Sequence, residues 1–257
     1  MRDLVYVLIN YNTFYYIKMF KLFLESLTLF TEMHKIDFLI ICDETAHKSV
    51  KKIKALEKFH EVFYLIVKTD LDLKNALLRK FDIVKFPKFL EYSKILYIDI
   101  DILVQGNLLS VIKSVPAKHN RLYAAKEGDF EGDYWFLDAY KAGNIDKMRK
   151  ENMHSFNSGM FLFKPSEEMR THFKNVKTLA LNFDKHAFYD QAFMNYYFSI
   201  NRLVNTNYMN DIYIIFPDEK KYYPEKIVVH IAGIGRYKSK VGIMRKYLNM
   251  IIAKKKH

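Results

Sequence analysis

The chain is poor in the residues that mark secreted, fibrous or disordered proteins. It contains one cysteine, five prolines and eight glycines among 257 residues, and 50% of its residues are hydrophobic. Cys42 has no partner within the chain, which excludes an internal disulfide and favours a reducing, cytoplasmic setting. So little proline and glycine in an apolar chain also excludes low-complexity and intrinsically disordered proteins.

Long apolar runs are missing as well. Residues 4–9 form the first one, and they are too few for a membrane span or for the core of a signal peptide. We therefore expect an intracellular protein that does not cross a membrane. The length suffices for one large core, and no linker or internal repeat divides the sequence, so a single domain over residues 1–240 is predicted.

Positive charge is abundant, with a formal net charge of +12, but it is not concentrated. Lysines are spread through every segment, whereas nucleic-acid-binding domains usually cluster arginines and interleave them with aromatic residues. The charge therefore predicts a solvated surface that attracts anionic ligands or acidic membranes. It gives no independent support for a nucleic-acid-binding domain.

The most informative stretch is the apolar run at residues 94–104, which is interrupted by Asp99 and Asp101. Its β-branched and aromatic residues do not alternate with polar ones, a pattern typical of a strand covered on both faces in a parallel sheet. Ligands of open α/β sheets bind at such strand ends. Two carboxylates there repel each other, and a magnesium or manganese ion that also holds a diphosphate would relieve this repulsion. The alternative is that one aspartate caps the next turn and the other is solvated.

Strands and helices alternate ahead of this stretch. Buried strands are predicted at residues 4–9, 36–42 and 62–67, with amphipathic helices at residues 14–30 and 46–60 between them. A β-α-β-α-β order is the pattern of a right-handed, doubly wound parallel half-sheet. The predicted fold class is therefore α/β, with a Rossmann-like, mainly parallel sheet.

Three later segments place polar side chains beside apolar strands or helices. Asn157 and Ser158 precede a buried strand and could approach the hydroxyls of a sugar, although a local turn explains them equally well. Asp190 opens an apolar helix and could be a helix-terminal charge alone. His230 ends an apolar strand and is followed by glycines and basic residues, which suits a metal ligand beside a phosphate clamp more than a structural histidine.

Taken together and in this order, the segments resemble glycosyltransferase family 8, the glycogenin-like and lipopolysaccharide-galactosyltransferase-like enzymes of the GT-A fold. The motifs that carry the resemblance are Tyr92 to Asp101, Phe156 to Gly159, Asp190-Gln191 and His230 to Gly233. The resemblance implies a retaining, manganese-dependent hexosyltransferase. Such an enzyme moves glucose or galactose from a UDP-sugar to a glycan or protein acceptor.

The resemblance also implies roles for individual residues. Asp99, Asp101 and His230 are expected to hold manganese, with magnesium as the alternative, and Asp190 and Gln191 to lie beside the anomeric carbon as the catalytic pair. The residues expected to bind the donor are Leu8, Asn10, Asn12, Tyr16, Lys80, Asp99, Ile100, Asp101, Asn157, Ser158, Gly233, Arg236 and Lys238. Arg79 is a second basic candidate next to Lys80.

Two departures from the family pattern concern the donor. The ending after His230 carries Arg236 where the family has lysine, and it lacks the usual Pro-Trp, so a planar guanidinium replaces a point charge. The short aspartate-containing segment before Asn157 is replaced by a longer one, in which Asp129 and Asp133 are both candidate donor contacts. The sequence therefore leaves the donor sugar open.

Two further alternatives remain. The chain could be a non-catalytic sugar-nucleotide or glycan-binding protein on the same fold, a reading that does not explain why all three metal-ligand candidates are present.

Residues 241–257 form a basic amphipathic tail, which suits peripheral contact with an anionic membrane or packing on the domain or a second subunit of a homodimer.

Overall fold

The structure is a computed structural model that describes residues 1–10, 13–70, 72–129, 146, 150–151, 154–182, 189–215, 217–218, 221–233 and 237–255. Its strands are β1 (Asp3–Ile9), β2 (Ile36–Cys42), β3 (Glu61–Ile66), β4 (Lys94–Ile98), β5 (Ile102–Val104), β6 (Leu122–Asp129), β7 (His154–Phe163), β8 (Val204–Asn205), β9 (Tyr213–Ile215) and β10 (Val228–His230). Its α-helices are α1 (Thr13–Phe30), α2 (Glu44–Val50), α3 (Leu73–Leu78), α4 (Leu108–Ser114), α5 (Glu167–Leu181), α6 (Tyr189–Ile200) and α7 (Tyr237–Lys255).

Most strands join one seven-stranded sheet in the order β3-β2-β1-β4-β7-β6-β8. Strands β3, β2, β1 and β4 are parallel to one another, whereas β7 runs antiparallel to both β4 and β6. A second, three-stranded sheet has the order β5-β10-β9. The predicted α/β class with a mixed, mainly parallel sheet is confirmed.

The unbroken apolar runs of the central strands arise because both faces of the large sheet are covered. In β1, Val5 and Val7 lie in the core cluster that includes buried residues of α1, α2 and α7. Leu4 and Tyr6 point to the opposite cluster, which includes buried residues of α5 and α6. Since successive strand residues face opposite sides, a strand covered on both sides carries apolar residues at consecutive positions.

The helix predicted over residues 46–60 is wrong in its second half. Helix α2 ends at Val50, and Lys54–Lys58 form a 3-10 helix instead. The apolar residues Val50, Ile53, Leu56 and Phe59 recur every third position. A repeat of three matches the three residues per turn of a 3-10 helix better than the 3.6 of an α-helix.

The last helix, α7, packs on the first. Its residues Met244, Leu248 and Ile251 are fully buried in the cluster shared with α1, and Arg245 bridges to Glu25 of α1 at 2.9 Å. The helix begins at Tyr237, ahead of the predicted tail. In the part of the chain that the structure describes, none of the helices combines the length and apolarity needed to cross a bilayer.

Candidate active site

A cavity of about 360 Å³ opens at the carboxyl ends of β1 and β4. Of the residues predicted to form the site, its lining includes Leu8, Tyr16, Asp99, Ile100, Asp101, Asn157, Ser158, Asp190, Gln191, His230 and Gly233. A wider groove of about 680 Å³ lies between α1 and residues 49–58, lined by lysines and apolar side chains. We place the chemistry in the smaller cavity, because acidic, amide and imidazole groups converge there.

The two motif aspartates and the histidine come from two chain segments that are distant in sequence. Asp99 follows β4 directly, Asp101 immediately precedes β5, and His230 ends β10, which pairs with β5. The imidazole Nε2 lies 3.1 Å from Asp101 Oδ1 and 3.9 Å from Asp99 Oδ2. One ligand atom from each residue can be chosen so that all three lie within 4.8 Å of one another, as a metal site requires.

A chain of hydrogen bonds sets which nitrogen of His230 carries the proton. The Gly159 N–H donates to Asn157 Oδ1 at 2.8 Å, which fixes the amide with its NH₂ toward Glu127 at 2.7 Å. The Tyr213 hydroxyl lies 2.8 Å from that same oxygen and must donate to it. Having given its one proton away, the hydroxyl accepts from His230 Nδ1 at 2.5 Å. In the neutral imidazole the proton is therefore on Nδ1, and the lone pair of Nε2 faces the carboxylates, as a metal ligand requires.

Replacing Tyr213 with phenylalanine is expected to weaken divalent-metal affinity by about tenfold to a hundredfold, because the partner that orients the His230 ring is lost. Isothermal titration with Mn²⁺ measures this. The matched control is Tyr208→Phe, since Tyr208 is 44% exposed. Unchanged Mn²⁺ affinity in Tyr213→Phe would show that the Tyr213 hydroxyl does not set the orientation of His230.

Gly159 keeps the metal-ligand candidates close together. It lies in β7, and its carbonyl oxygen accepts from the Asp99 N–H at 2.7 Å. A Cβ added at this position would meet His230 Cε1 at 2.3 Å and both Asn157 Oδ1 and Asp99 Oδ2 at 2.8 Å. Its φ is not positive, so glycine is required here for space and not for backbone conformation.

The Gly159→Ala variant is expected to lose metal-dependent activity by at least about a hundredfold, because a displacement of about 1 Å at reacting groups has costs of that order. Activity assays and Mn²⁺ titration of the same preparation check this. Gly242→Ala is the control, since a Cβ there meets nothing within 4 Å. Normal metal affinity in Gly159→Ala would mean that the side chains of His230, Asn157 and Asp99 can move away from the added methyl group without loss of binding.

Positive groups surround the two aspartates. Lys80 is 1% exposed, and its ammonium lies 2.8 Å from Asp190 Oδ2 and 4.0 Å from Asp99 Oδ1. The ammonium of Lys240, on α7, lies 2.6 Å from Asp101 Oδ2. The buried carboxylates are thus charge-compensated by side chains from distant segments, as their desolvation requires.

The surroundings push the pKa values of the two aspartates apart. Burial raises the pKa of Asp99; Lys80 opposes this, and the neighbouring charge of Asp101 adds to it. Burial also acts against ionisation of Asp101, but Lys240 and His230 outweigh it and lower its pKa well below the usual range. Asp99 is therefore the carboxylate of the two whose ionised form gains more from an added cation.

The catalytic-pair candidates open helix α6 and point into the cavity. Asp190 pairs with Lys80, as above. Gln191 Oε1 accepts from the Ser158 N–H at 3.0 Å, and its Nε2 donates to Glu127 at 3.0 Å. Burial raises the pKa of Glu127, while hydrogen bonds from Asn157 and Gln191 oppose the shift. Glu127 therefore orients two amides at the wall of the cavity.

Some predicted contacts lie elsewhere. Asn10 is buried at the end of β1 but donates to Asp70 at 2.7 Å, and Arg79 also binds Asp70, at 2.6 Å. The side chain of Lys238 is exposed, whereas Lys240 lines the cavity. Asn12, Asp133 and Arg236, and the side chain of Asp129, lie outside the described residues.

Sequence reasoning did not find Glu127, Tyr213 or Lys240 as site residues. Tyr213 had no motif around it, and its role depends on the pairing of β9 with β10. Lys240 follows Lys238 by two positions, and the rotation of α7 about its axis decides which of the two faces the cavity. Glu127 was recognisable only as a carboxylate near the end of an apolar strand, β6.

Comparison with known proteins decides the family. The family model described as Glycosyl transferase family 8 matches residues 7–233. The chain belongs to this family. The predicted resemblance is confirmed, and the protein is a glycosyltransferase. A search of curated proteins gave no match.

Solved structures of glycosyltransferases share the fold of this family 8 member. The galactosyltransferase LgtC, solved with donor and acceptor sugar analogs, has a TM-score of 0.60 and 16% identity, covering 98% of this chain and 95% of LgtC. The bifunctional WbbM has a TM-score of 0.63 at 15% identity over 98% of this chain. GlyE of Streptococcus pneumoniae TIGR4 has a TM-score of 0.60 at 15% identity over 99% of this chain. The chain spans 51% of WbbM and 63% of GlyE. At these identities the likeness establishes the GT-A fold.

Proposed function

We propose that this family 8 enzyme transfers a hexose, glucose or galactose, from a UDP-sugar to a glycan or protein acceptor, with retention of configuration and dependence on manganese. The observation that carries the proposal is the convergence of Asp99, Asp101 and His230 at the mouth of the sheet. Family membership supports the reaction class, and the cavity beside these residues supports a nucleotide-sugar donor.

The donor set fits a manganese ion. Carboxylate oxygens suit Mn²⁺ and Mg²⁺ alike, whereas an imidazole nitrogen favours Mn²⁺. The lone pair of His230 Nε2 faces Asp101 Oδ1 at 3.1 Å, an arrangement that is repulsive unless a cation or proton lies between them. When bound, the ion would supply positive charge against the negative charge that develops on the departing diphosphate.

The other residues of the chain would bind and orient the donor. Leu8 and Tyr16 line the cavity at the end of β1 and provide an apolar and aromatic wall for the base. Lys80 and Lys240 place positive charge on either side of the aspartates, toward which the diphosphate would lie. Asn12, Arg236 and Lys238 stay predictions from the family resemblance.

Asn157, Ser158, Asp190 and Gln191 would lie beside the donor sugar. Asp190 already shares its charge with Lys80 at 2.8 Å, and an ion-paired carboxylate is a weaker nucleophile than a free one. This favours front-face attack on an ion-pair-like intermediate over a covalent adduct on Asp190. In that mechanism the carboxylate stabilises positive charge at the anomeric carbon.

The decisive experiment incubates the protein with Mn²⁺ and a panel of UDP-sugars, with and without candidate acceptors. UDP release and the mass of the protein are measured, the latter to detect self-labelling. Turnover of UDP-glucose or UDP-galactose that EDTA abolishes supports the proposal. UDP-sugar binding without UDP release under any condition would favour the non-catalytic binding protein instead.

Asp190→Asn is expected to lower kcat by about a hundredfold to a thousandfold, while UDP affinity changes by less than about threefold, because the carboxylate acts near the sugar and not at the diphosphate. Steady-state kinetics and UDP calorimetry give the two numbers. Equal losses in kcat and UDP affinity would instead indicate a structural role for Asp190.

We further propose a cytoplasmic protein that makes peripheral contact with membranes. Because Met244, Leu248 and Ile251 are buried against α1, the apolar stripe of residues 241–257 is occupied by packing. The proposed membrane contact therefore rests on the basic side chains of this segment, in the manner of a polybasic patch. A homodimer remains a prediction from the sequence.

A further inference from the structure

The carboxylate of Asp101 is held from two sides by groups from different parts of the chain. Its Oδ1 lies 3.1 Å from His230 Nε2, and its Oδ2 lies 2.6 Å from the ammonium of Lys240. The Lys240 and Asp101 side chains are 13% and 15% exposed, so this ion pair lies at the wall of the cavity and is largely shielded from water. Asp101, a candidate metal ligand, is thus already paired with a positively charged side chain of the protein itself, Lys240.

Helix α7 holds Lys240 in this place. Tyr237 lies three positions before Lys240 in the helix, and its ring is 5.7 Å from that of Tyr16. Met244, one turn after Lys240, is fully buried. The backbone of Lys240 is therefore fixed. Its side chain ends a flexible four-carbon stem, which lets the ammonium reach more than one acceptor from the same backbone position.

We propose that Lys240 is a tethered cation that occupies Asp101 in the metal-free enzyme, leaves it when the metal site is loaded, and then binds the diphosphate of the donor. This inference rests on the proposed function. An added divalent cation beside Oδ1 and the Lys240 ammonium on Oδ2 would share the charge of one carboxylate and repel each other across it, so metal binding weakens the charge-assisted hydrogen bond of Lys240. The released ammonium remains in the cavity, where an anionic diphosphate provides a new partner.

The contrast with Lys80 supports this assignment. The ammonium of Lys80 lies 2.8 Å from Asp190, 4.0 Å from Asp99 and 3.3 Å from the carbonyl oxygen of Ser158, which accepts from it. Lys80 is enclosed by these partners at 1% exposure, whereas Lys240 lines the cavity itself. Lys80 is therefore a fixed counter-ion, and Lys240 is the cation placed to exchange partners.

The exchange makes the metal and the nucleotide bind cooperatively. The direction in which each affinity changes when Lys240 is replaced distinguishes this exchange from other roles. A residue that only assists metal binding would weaken the affinity for Mn²⁺ when removed. Lys240, as a competitor, should strengthen it when removed, and should weaken UDP binding at saturating Mn²⁺. Opposite signs in one variant distinguish partner exchange from a general loss of structure.

The test is a set of calorimetric or electron-paramagnetic-resonance titrations of the full chain. The dissociation constant of Mn²⁺ is measured without UDP, and that of UDP at saturating Mn²⁺, for the wild type and for Lys240→Met, Lys240→Gln and Lys240→Arg. The control is Lys174→Met, which removes the same charge from an exposed position on helix α5.

Lys240→Met and Lys240→Gln are expected to bind Mn²⁺ about tenfold more tightly and UDP about tenfold more weakly, since a charge-assisted hydrogen bond contributes on this order. Lys240→Arg should stay within about threefold of the wild type in both constants, because it keeps the charge. Lys174→Met should match the wild type. Thermal unfolding with and without Mn²⁺ identifies a variant that has not folded, and the glutamine variant replaces it.

Two results would overturn the inference separately from the proposed function. A wild type that binds Mn²⁺ and UDP, with Lys240 variants that change neither constant or weaken both, rejects partner exchange and leaves the glycosyltransferase site intact. A wild type that binds neither Mn²⁺ nor UDP rejects the proposed function, and the inference with it.

Discussion

Replacing Asp101 with alanine is expected to reduce metal-dependent sugar transfer by about a thousandfold or more, because the charge stabilisation that a metal ion supplies amounts to several kcal/mol of the barrier. The fold should survive, since one member of a mutually repelling pair, Asp99 and Asp101, is removed. UDP release at saturating Mn²⁺ and UDP-sugar measures the loss. Circular dichroism and thermal unfolding measure the fold.

The control for this variant is Asp211→Ala, which removes a carboxylate from an exposed position. It should retain wild-type turnover. Wild-type-like turnover in Asp101→Ala would reject the assignment of Asp101 as a metal ligand. A large drop in the unfolding temperature of Asp101→Ala would instead show that Asp101 stabilises the fold through its ion pair with Lys240.

Lys80→Met is expected to destabilise the fold by about 3–5 kcal/mol, because it leaves the charge of Asp190 buried without its partner. The side chains of Lys80 and Asp190 are only 1% and 6% exposed, so water cannot replace the lost ammonium. Activity should be lost as well. Urea denaturation followed by fluorescence gives the free energy of unfolding.

The double variant Lys80→Met, Asp190→Asn completes a mutant cycle. It should be more stable than Lys80→Met alone, because it removes the unpaired charge together with its partner. The coupling between the two sites should be clearly larger than the roughly 1 kcal/mol of a surface ion pair. A double variant whose loss of stability equals the sum of the single losses would mean that the 2.8 Å contact contributes nothing specific.

Sequence alone predicted the central part of the fold well. The strand expected at residues 36–42 is β2 as observed, and those expected at 4–9 and 62–67 differ from β1 and β3 by one residue at one or both ends. Both faces of these strands are covered, and the resulting apolar runs are visible without any knowledge of tertiary contacts. Local periodicity was less reliable where a 3-10 helix replaced an α-helix after Val50.

The site was predictable to the extent that its residues follow strand ends or motifs. Asp99, Asp101 and His230 were identified as one metal-ligand set, and the structure brings them together. Lys80 was expected at the donor, and the structure places it against Asp190. These residues could be recognised because each lies in a short, local motif of the chain.

The rest of the site depends on tertiary geometry. Tyr213 lies beside His230 only because β9 and β10 pair in register, and Lys240 reaches Asp101 only because α7 docks on α1 at one rotation. Neither fact leaves a periodic or compositional trace in the sequence. The conclusion that Gly159 is needed for space also required the positions of its neighbours, since a glycine next to Asn157 and Ser158 also reads as a simple turn residue.

The docking of α7 on α1 has a consequence for how the enzyme is made. The Arg245–Glu25 contact joins residues 220 positions apart, and the cavity takes Tyr16 from α1 and both Tyr237 and Lys240 from α7. On a ribosome, the parallel strands can assemble well before α7 emerges, but the catalytic cavity stays incomplete until that helix has left the exit tunnel. A nascent chain stalled before residue 237 would therefore be a folded sheet without a working active site.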